Sequence, residues 1–374
     1  MKRLSRPEFI NLIDNDTFIE FTAGKIFNIP SSGVVEFQLS NKFFYKLRTD
    51  IKLWSFLRVI HSNLNKNFLK KISLNSSAIA FRSGLSYINF FSPHIENYFF
   101  LRLDIKSFFH SISKNLINNV FSSYFRDEFI DKNSQISLLE YFIFLTTLYI
   151  DETYKNNQFK YQYILPMGFS TSPLISNIVF RSIDIQISNI CLEYGVTYTR
   201  YADDMLFSMP KNANPHIQTD VFYVSIKSIL SKYGFFINKH KVISKKNTIS
   251  INGYTLQNTP NMCEFRVSNK KIKIIQKIIY EYNKNTEISA ILKKCFKYNI
   301  IKRFTTPEKV PNNLVEKYNK HQLINKIAGY RAFLLSFILF NHRSKLMSIE
   351  TSNKYLNLIN ELEKIMRNIY LTLD

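Results

Sequence analysis

The stretch VTYTRYADDMLFSM, residues 196–209, decides how the rest of the chain is read. It places β-branched and aromatic residues on both sides of a short acidic centre, which predicts two strands, 196–200 and 205–209, joined by a tight turn at 202–204. Asp203 and Asp204 are adjacent in that turn. Two neighbouring carboxylates repel each other unless a cation sits between them. A hard divalent ion such as Mg2+ takes carboxylate and phosphate oxygens together. An ordinary surface turn with two solvated acids is the plain alternative, and the surrounding segments decide between the two.

Upstream, YFFLRLD (98–104) is a short β-type run that ends on a third carboxylate, Asp104, before the chain turns away over 105–112. Three carboxylates of this kind can hold two Mg2+ ions (Mn2+ serving in vitro) that activate a 3′-hydroxyl and stabilise departing pyrophosphate in an in-line displacement. Further out, apolar residues at helical spacing through Leu53, Phe56, Leu57, Ile60 and Leu64 predict a helix over 51–72. Residues 1–50 read as mixed strands and loops. Residues 138–150 read as a buried helix, 166–179 as a loop feeding a helix, 220–233 as a helix, and 249–256 as a second hairpin around Gly253. From about 265 the chain reads as mostly helical and basic.

Lys and Arg number 50 against 28 Asp and Glu, a formal charge of +22 that points to a polyanionic partner such as nucleic acid. A membrane surface is the rival partner, and a Lys-rich, A/T-biased genome the bland explanation. Cys191, Cys263 and Cys295 are far apart and odd in number, which argues against a disulfide framework or zinc site and suits a reducing cytoplasm. The N-terminus has no apolar core of signal-peptide length. The longest apolar runs, around 141–150 and 332–340, are shorter than a bilayer span, so a cytoplasmic protein with no membrane partner is expected.

Five segments, in order, resemble the motifs of reverse transcriptases. AFRSGLS (80–86) is similar to the Phe-Arg-x-Gly-x-Ser segment of bacterial members. LDIKSFF (103–109) resembles the first catalytic motif, and LPMGFSTSPLISN (165–177) the loop and helix under the incoming nucleotide. YADD (201–204) resembles the central metal turn, and GFFINKHK (234–241) the motif that ends in lysine. The likeness covers about 78–256. It implies an α+β right-hand polymerase: fingers with part of the palm at 1–100, palm at 101–258, and a helical thumb or C-terminal lobe at 259–374. INKIAGYRAFLLSF (324–337) resembles the thumb helix.

Within the family a compact retron-like or defence-associated enzyme fits best, without a maturase or endonuclease extension. His94 stands ten residues before Asp104, as in the retron Asn-Ala-x-x-His box, but Phe90 occupies the place of the Asn. Ile251-Asn252-Gly253 keeps only the Gly of the retron Val-Thr-Gly. The family's usual Gln after Leu-Pro is Met167, and its usual fingers strand pair is missing, which leaves Lys46 and Arg48 as the nearest basic cluster.

The resemblance implies Asp104, Asp203 and Asp204 as metal ligands and catalytic residues, with Lys241 as a general acid toward pyrophosphate. It implies Phe109 as a gate against the ribose 2′-hydroxyl, with Met167, Gly168, Arg82 and Arg48 also at the dNTP. Lys270, Lys271, Lys273 and Arg343 are expected along nucleic acid. Core packing for Phe109, a structural role for His94 and solvated faces for the lysines are the ordinary alternatives. The expected activity is RNA-directed DNA synthesis on a dedicated non-coding RNA template, giving a DNA product and serving phage defence. A second defence protein or a further copy of the chain is an open partner. Two other readings stay open: untemplated or protein-primed DNA synthesis, and a non-catalytic RNA-binding scaffold.

Overall fold

The computed structural model describes residues 2–23, 28–131, 135–259, 262–296 and 311–372. The chain divides into two compact units. The first comprises residues 1–94 and 99–244, the second residues 95–98 and 245–374.

The first unit begins with two short helices, α1 (Arg6–Ile13) and α2 (Asp16–Thr22), where strands and loops are expected from the sequence. Local capping explains the difference. Ser5 and Glu8 form a reciprocal capping box ahead of α1, Pro7 sits in its first turn, and the Asn15 side chain accepts the Phe18 N–H at the start of α2. A hairpin follows, β1 (Val34–Leu39) with β2 (Lys42–Leu47), and then α3 (Lys52–Asn67), which buries Leu57, Ile60 and Leu64 of the expected stripe together with Trp54, while Leu53 and Phe56 are half-buried. After α4 (Tyr87–Phe91) comes β3 (Phe99–Asp104), then α5 (Lys114–Phe121) and α6 (Leu138–Thr146).

The apolar run expected to be one helix over 138–150 breaks at Thr147. Its last residues form β4 (Leu148–Ile150), paired antiparallel with β5 (Gln162–Ile164). A continuous apolar run lacks the periodicity that separates a buried helix from a buried strand. The long helix α7 (Ser172–Glu193) leads to β6 (Thr197–Tyr201) and β7 (Asp204–Met209), followed by α8 (Asp220–Lys232). The central sheet runs β6-β7-β3, with β8 (Ile243–Lys246) at its edge where the chain leaves the unit. β7 is buried along its whole length, and β3 is buried except at Arg102, as expected of strands covered on both faces.

The second unit holds a meander, β9 (Thr248–Ile251), β10 (Tyr254–Thr259) and β11 (Met262–Val267), then α9 (Asn269–Asn283), α10 (Ile288–Phe296), α11 (Asn312–Ser344) and α12 (Ile349–Tyr370). β11 extends the sheet into residues expected to be helical, because its backbone pairs with β10 from Met262 to Val267. Tyr254, Phe265, Phe333 and Phe337 form an aromatic cluster between sheet and helices. By length and composition α11 could cross a membrane. Its buried residues, among them Leu323, Ile327, Leu334 and Phe337, belong to the core of this unit, where α11 packs on α12 and β11. The mixed helices and antiparallel sheets are those of a right-hand polymerase.

Candidate active site

The β6–β7 hairpin sets the site. Tyr201 and Asp204 are cross-strand partners, so Ala202 and Asp203 form a two-residue turn. Ala202 sits at φ +55, a left-handed conformation that costs a residue with a Cβ about 1–2 kcal/mol. The compensation is underneath. Arg200 is fully buried and donates from Nη1 to the Ala202 carbonyl (3.2 Å) and from Nη2 to Asn177 Oδ1 (3.1 Å). Its Nε and Nη2 hold the Asp184 carboxylate at 2.9 and 2.7 Å. The guanidinium also lies over the Phe180 ring, 4.4 Å from its centroid. Nothing local in the sequence pairs Arg200 with Asp184, and the sequence reading misses both.

β3 lies antiparallel to β7 in a register that puts Asp104 opposite Asp204. The Ile105 N–H donates to the Asp203 carbonyl (2.9 Å), which brings the third carboxylate to the same strand ends. The segment after α8 docks beside β3: Asn238 N–H donates to the Asp104 carbonyl (2.7 Å) and Lys106 N–H to that of Phe236 (2.8 Å). This delivers Lys241, whose Nζ donates to Asp104 Oδ2 at 2.9 Å. Three segments far apart in sequence thus bring Asp104, the Asp203–Asp204 pair and Lys241 to the same strand ends.

Each carboxylate faces a cation. Arg102, two residues before Asp104 and so on the same face of β3, donates from Nε (2.9 Å) and Nη2 to Asp204 Oδ1. Its Nη2 also lies 3.6 Å from Asp104 Oδ2. Tyr87 Oη donates to Asp204 Oδ2 (3.3 Å), and Lys42 Nζ lies 3.7 Å from Asp203 Oδ2. Burial pushes the Asp203 carboxyl above its ordinary range; Lys42 opposes this, and the Asp204 and Asp104 charges add to it. Among the described residues no three His, Cys, Asp or Glu side chains converge as a ready metal cage.

The aspartates lie beside a cleft of about 700 Å³, lined among others by Asp104, Asp203, Phe109, Met167, Lys241, Lys42, Lys106 and Lys155. Lys42, Lys106 and Lys155 supply the positive lining that the sequence reading assigns to Arg48. Arg48 does not line this cleft and is paired with Asp50 at 2.7 Å. Arg82 also lies off it, its Nη1 donating to the carbonyls of Ala78 (3.0 Å) and Asn75 (3.3 Å). Phe109 is half-buried and meets Phe81 and Phe108 at ring-centroid distances of 6.0 and 5.3 Å. Gly168 has φ +117, and a Cβ there would stand 2.4 Å from the Tyr45 carbonyl oxygen. It lets the loop before α7 lie against β2, where Tyr45 N–H donates to the Met167 carbonyl (2.8 Å).

His94 is sealed between Ser208 Oγ (2.6 Å) and Thr199 Oγ1 (2.7 Å), and burial pulls its pKa down to about 3, the signature of a structural histidine. In the second unit Lys270 and Lys271 line a separate cavity of about 670 Å³ with Arg266, Asn252, Gly253 and Tyr330, and Lys273 is exposed nearby on α9. Arg343 falls on α11, with its side chain outside the described residues.

A buried antiparallel sheet that carries three aspartates on adjacent strand ends, beside a cleft lined with lysines, defines a polymerase-type palm. A family model described as reverse transcriptase (RNA-dependent DNA polymerase) matches residues 45–256, more than half of the chain, and the chain belongs to that family. It is similar to bacterial retron enzymes. The retron Ec83 reverse transcriptase of Escherichia coli is 28% identical over 190 residues, covering 50% of this chain and 56% of that protein. The retron Ec86 reverse transcriptase of the same organism is 30% identical over 194 residues, covering 52% and 51%. The chain therefore spans about half the length of these relatives. Among solved structures, a telomerase from Candida albicans aligns over 92% of this chain and 62% of its own at 13% identity and a TM-score of 0.39, too low a likeness to carry an argument.

Proposed function

We propose that the chain is an RNA-directed DNA polymerase that joins dNTPs by two-metal nucleotidyl transfer. The observation that carries this reading is the register that sets Asp104 opposite Asp204 with Asp203 in the adjoining turn, beside a lysine-lined cleft. The donor set fits a hard divalent cation, because all three side chains are oxygen donors on adjoining strand ends, and the upward shift of Asp203, caused first by burial and then by the Asp204 and Asp104 charges, is what such a cation offsets. Asp104, Asp203 and Asp204 would hold two Mg2+ ions, with Mn2+ able to replace them in vitro. Bound ions supply activation of the primer 3′-hydroxyl and charge neutralisation at the leaving pyrophosphate.

The other roles belong to the chain itself. Lys42, Lys106 and Lys155 would draw the triphosphate into the cleft. Lys241 would give its proton to the departing pyrophosphate. Phe109 would stand against the 2′ position of the sugar and Met167 beside the nucleotide. Residues 1–100, 101–258 and 259–374 would act as fingers, palm and thumb. In the last, Lys270, Lys271 and Lys273 would contact the phosphate backbone, in keeping with the charge of +22. The retron likeness supports reverse transcription of an RNA template; that template would be a dedicated non-coding RNA, the role antiphage defence and the location cytoplasmic.

The test is incorporation of labelled dNTPs with Mg2+ by protein freed of nucleic acid, with and without added RNA, alongside Asp203→Asn. RNA-dependent synthesis that falls at least about a thousandfold in the variant is expected, since a metal ligand is lost at nearly constant shape. Activity within a few-fold of wild type in Asp203→Asn refutes the site. Synthesis indifferent to RNA points instead to untemplated or protein-primed polymerisation.

A further inference from the structure

The three aspartates are balanced by three cations, Arg102, Lys241 and Lys42, but these cations are not equally free to leave. The Lys42 and Lys241 side chains are 57% and 44% exposed, so their ammonium groups can swing into water on flexible stems. The Arg102 side chain is 12% exposed and grips a carboxylate that is itself 9% exposed, with Tyr87 on the other oxygen. When divalent cations enter, the lysines can step aside. The guanidinium stays, and it holds the oxygen that an ion at Asp204 needs.

We propose that Arg102 is a positioning residue that acts through Asp204 as a resident competitor of the divalent ions. Without metal it keeps the carboxylates from repelling one another. With metal it would weaken the site, because an ion at Asp204 would compete with the guanidinium for the same oxygen. The inference rests on the metal-site reading above and adds to it a device that sets metal affinity. An arginine serves where a lysine would not, because its planar fork is fixed in direction and never loses its charge.

The test is Mn2+ binding to the nucleic-acid-free protein, followed by the loss of the free-ion electron spin resonance signal, together with thermal unfolding in EDTA and in Mn2+. Arg102→Gln should bind Mn2+ about tenfold more tightly than wild type, since a buried positive charge has been taken from beside the ion. The same variant should melt earlier than wild type in EDTA and regain more on adding Mn2+. Arg102→Lys, which keeps the charge without the fork and is the safer variant for folding, should fall between the two. In an Asp204→Asn background the gain from Arg102→Gln should shrink to less than about twofold, because the contested carboxylate is gone. Affinity equal to or weaker than wild type in Arg102→Gln, or in Arg102→Lys should the first not fold, overturns the inference. So does a full gain in the Asp204→Asn background. Wild-type protein that takes up no Mn2+ sensitive to Asp203→Asn fails the metal reading itself, and the inference falls with it.

Discussion

Removing the guanidinium beneath the Tyr201–Asp204 turn tests how the site is held. Arg200 and Asp184 are both fully buried, and the Tyr198 hydroxyl also donates to Asp184, at 2.8 Å. Arg200→Gln leaves that carboxylate without its counter-charge in a dry interior. Losing one partner of such a pair costs about 3–5 kcal/mol. The chain has a single tryptophan, Trp54, buried in α3 of the same unit, so its fluorescence reports the unfolding of that unit. With a urea slope of about 3 kcal/mol per M, a loss of about 4 kcal/mol moves the midpoint down by roughly 1.3 M. The double variant Arg200→Leu with Asp184→Leu should recover much of that, because an apolar pair leaves no charge stranded. Its DNA synthesis should stay low, because the Ala202 carbonyl has lost its donor and the φ +55 turn its support. A midpoint for Arg200→Gln within about 0.3 M of wild type would refute the reasoning.

Phe109→Ala should let the enzyme incorporate ribonucleotides; an unchanged preference for dNTPs in competition assays would make Phe109 a packing residue. Gly168→Ala should cost about 2 kcal/mol or more, from φ +117 and a Cβ 2.4 Å from the Tyr45 carbonyl oxygen, read by the same fluorescence midpoint. The third concerns pH. His94 is held neutral, with a folded pKa of about 3 against 6.5 for the exposed ring, so the unfolded chain binds the extra proton between those values. Its contribution is therefore complete above about pH 6.5 and is lost as pH falls, by about 2 kcal/mol at pH 5. His94→Asn should flatten that part of the urea-midpoint profile, leaving the same-signed effects of His61 and His110, each pulled down to about 4.

What the sequence makes legible is local. The turn around Asp203, the strand ending at Asp104 and the segment ending at Lys241 each carry their signal in a few consecutive residues, and the structure assembles them. Arg102 is equally close in sequence, two residues from Asp104, but its meaning depends on a register that sets β7 beside β3. Arg200 and Asp184 are 16 residues apart on different elements, and no local pattern announces a buried pair. Lys42 lines the cleft and Arg48 does not, although both sit on one basic hairpin, because the side that faces the aspartates is set by tertiary packing. The helices at the N-terminus are short and apolar enough to pass for strands. Only the Ser5–Glu8 cap and the Asn15 cap mark them.

The contact at Gly168 has a mechanical consequence. Tyr45 meets the loop before α7 with both its backbone groups: its N–H donates to the Met167 carbonyl, and its carbonyl oxygen occupies the space a Cβ at Gly168 would need. Lys42 lies three residues earlier on the same strand, at the cleft. The β1–β2 hairpin therefore cannot tilt without dragging the Met167 loop along with it. One wall of the cleft behaves as a single jaw, and a side chain that pried Tyr45 from Gly168 would uncouple its two halves.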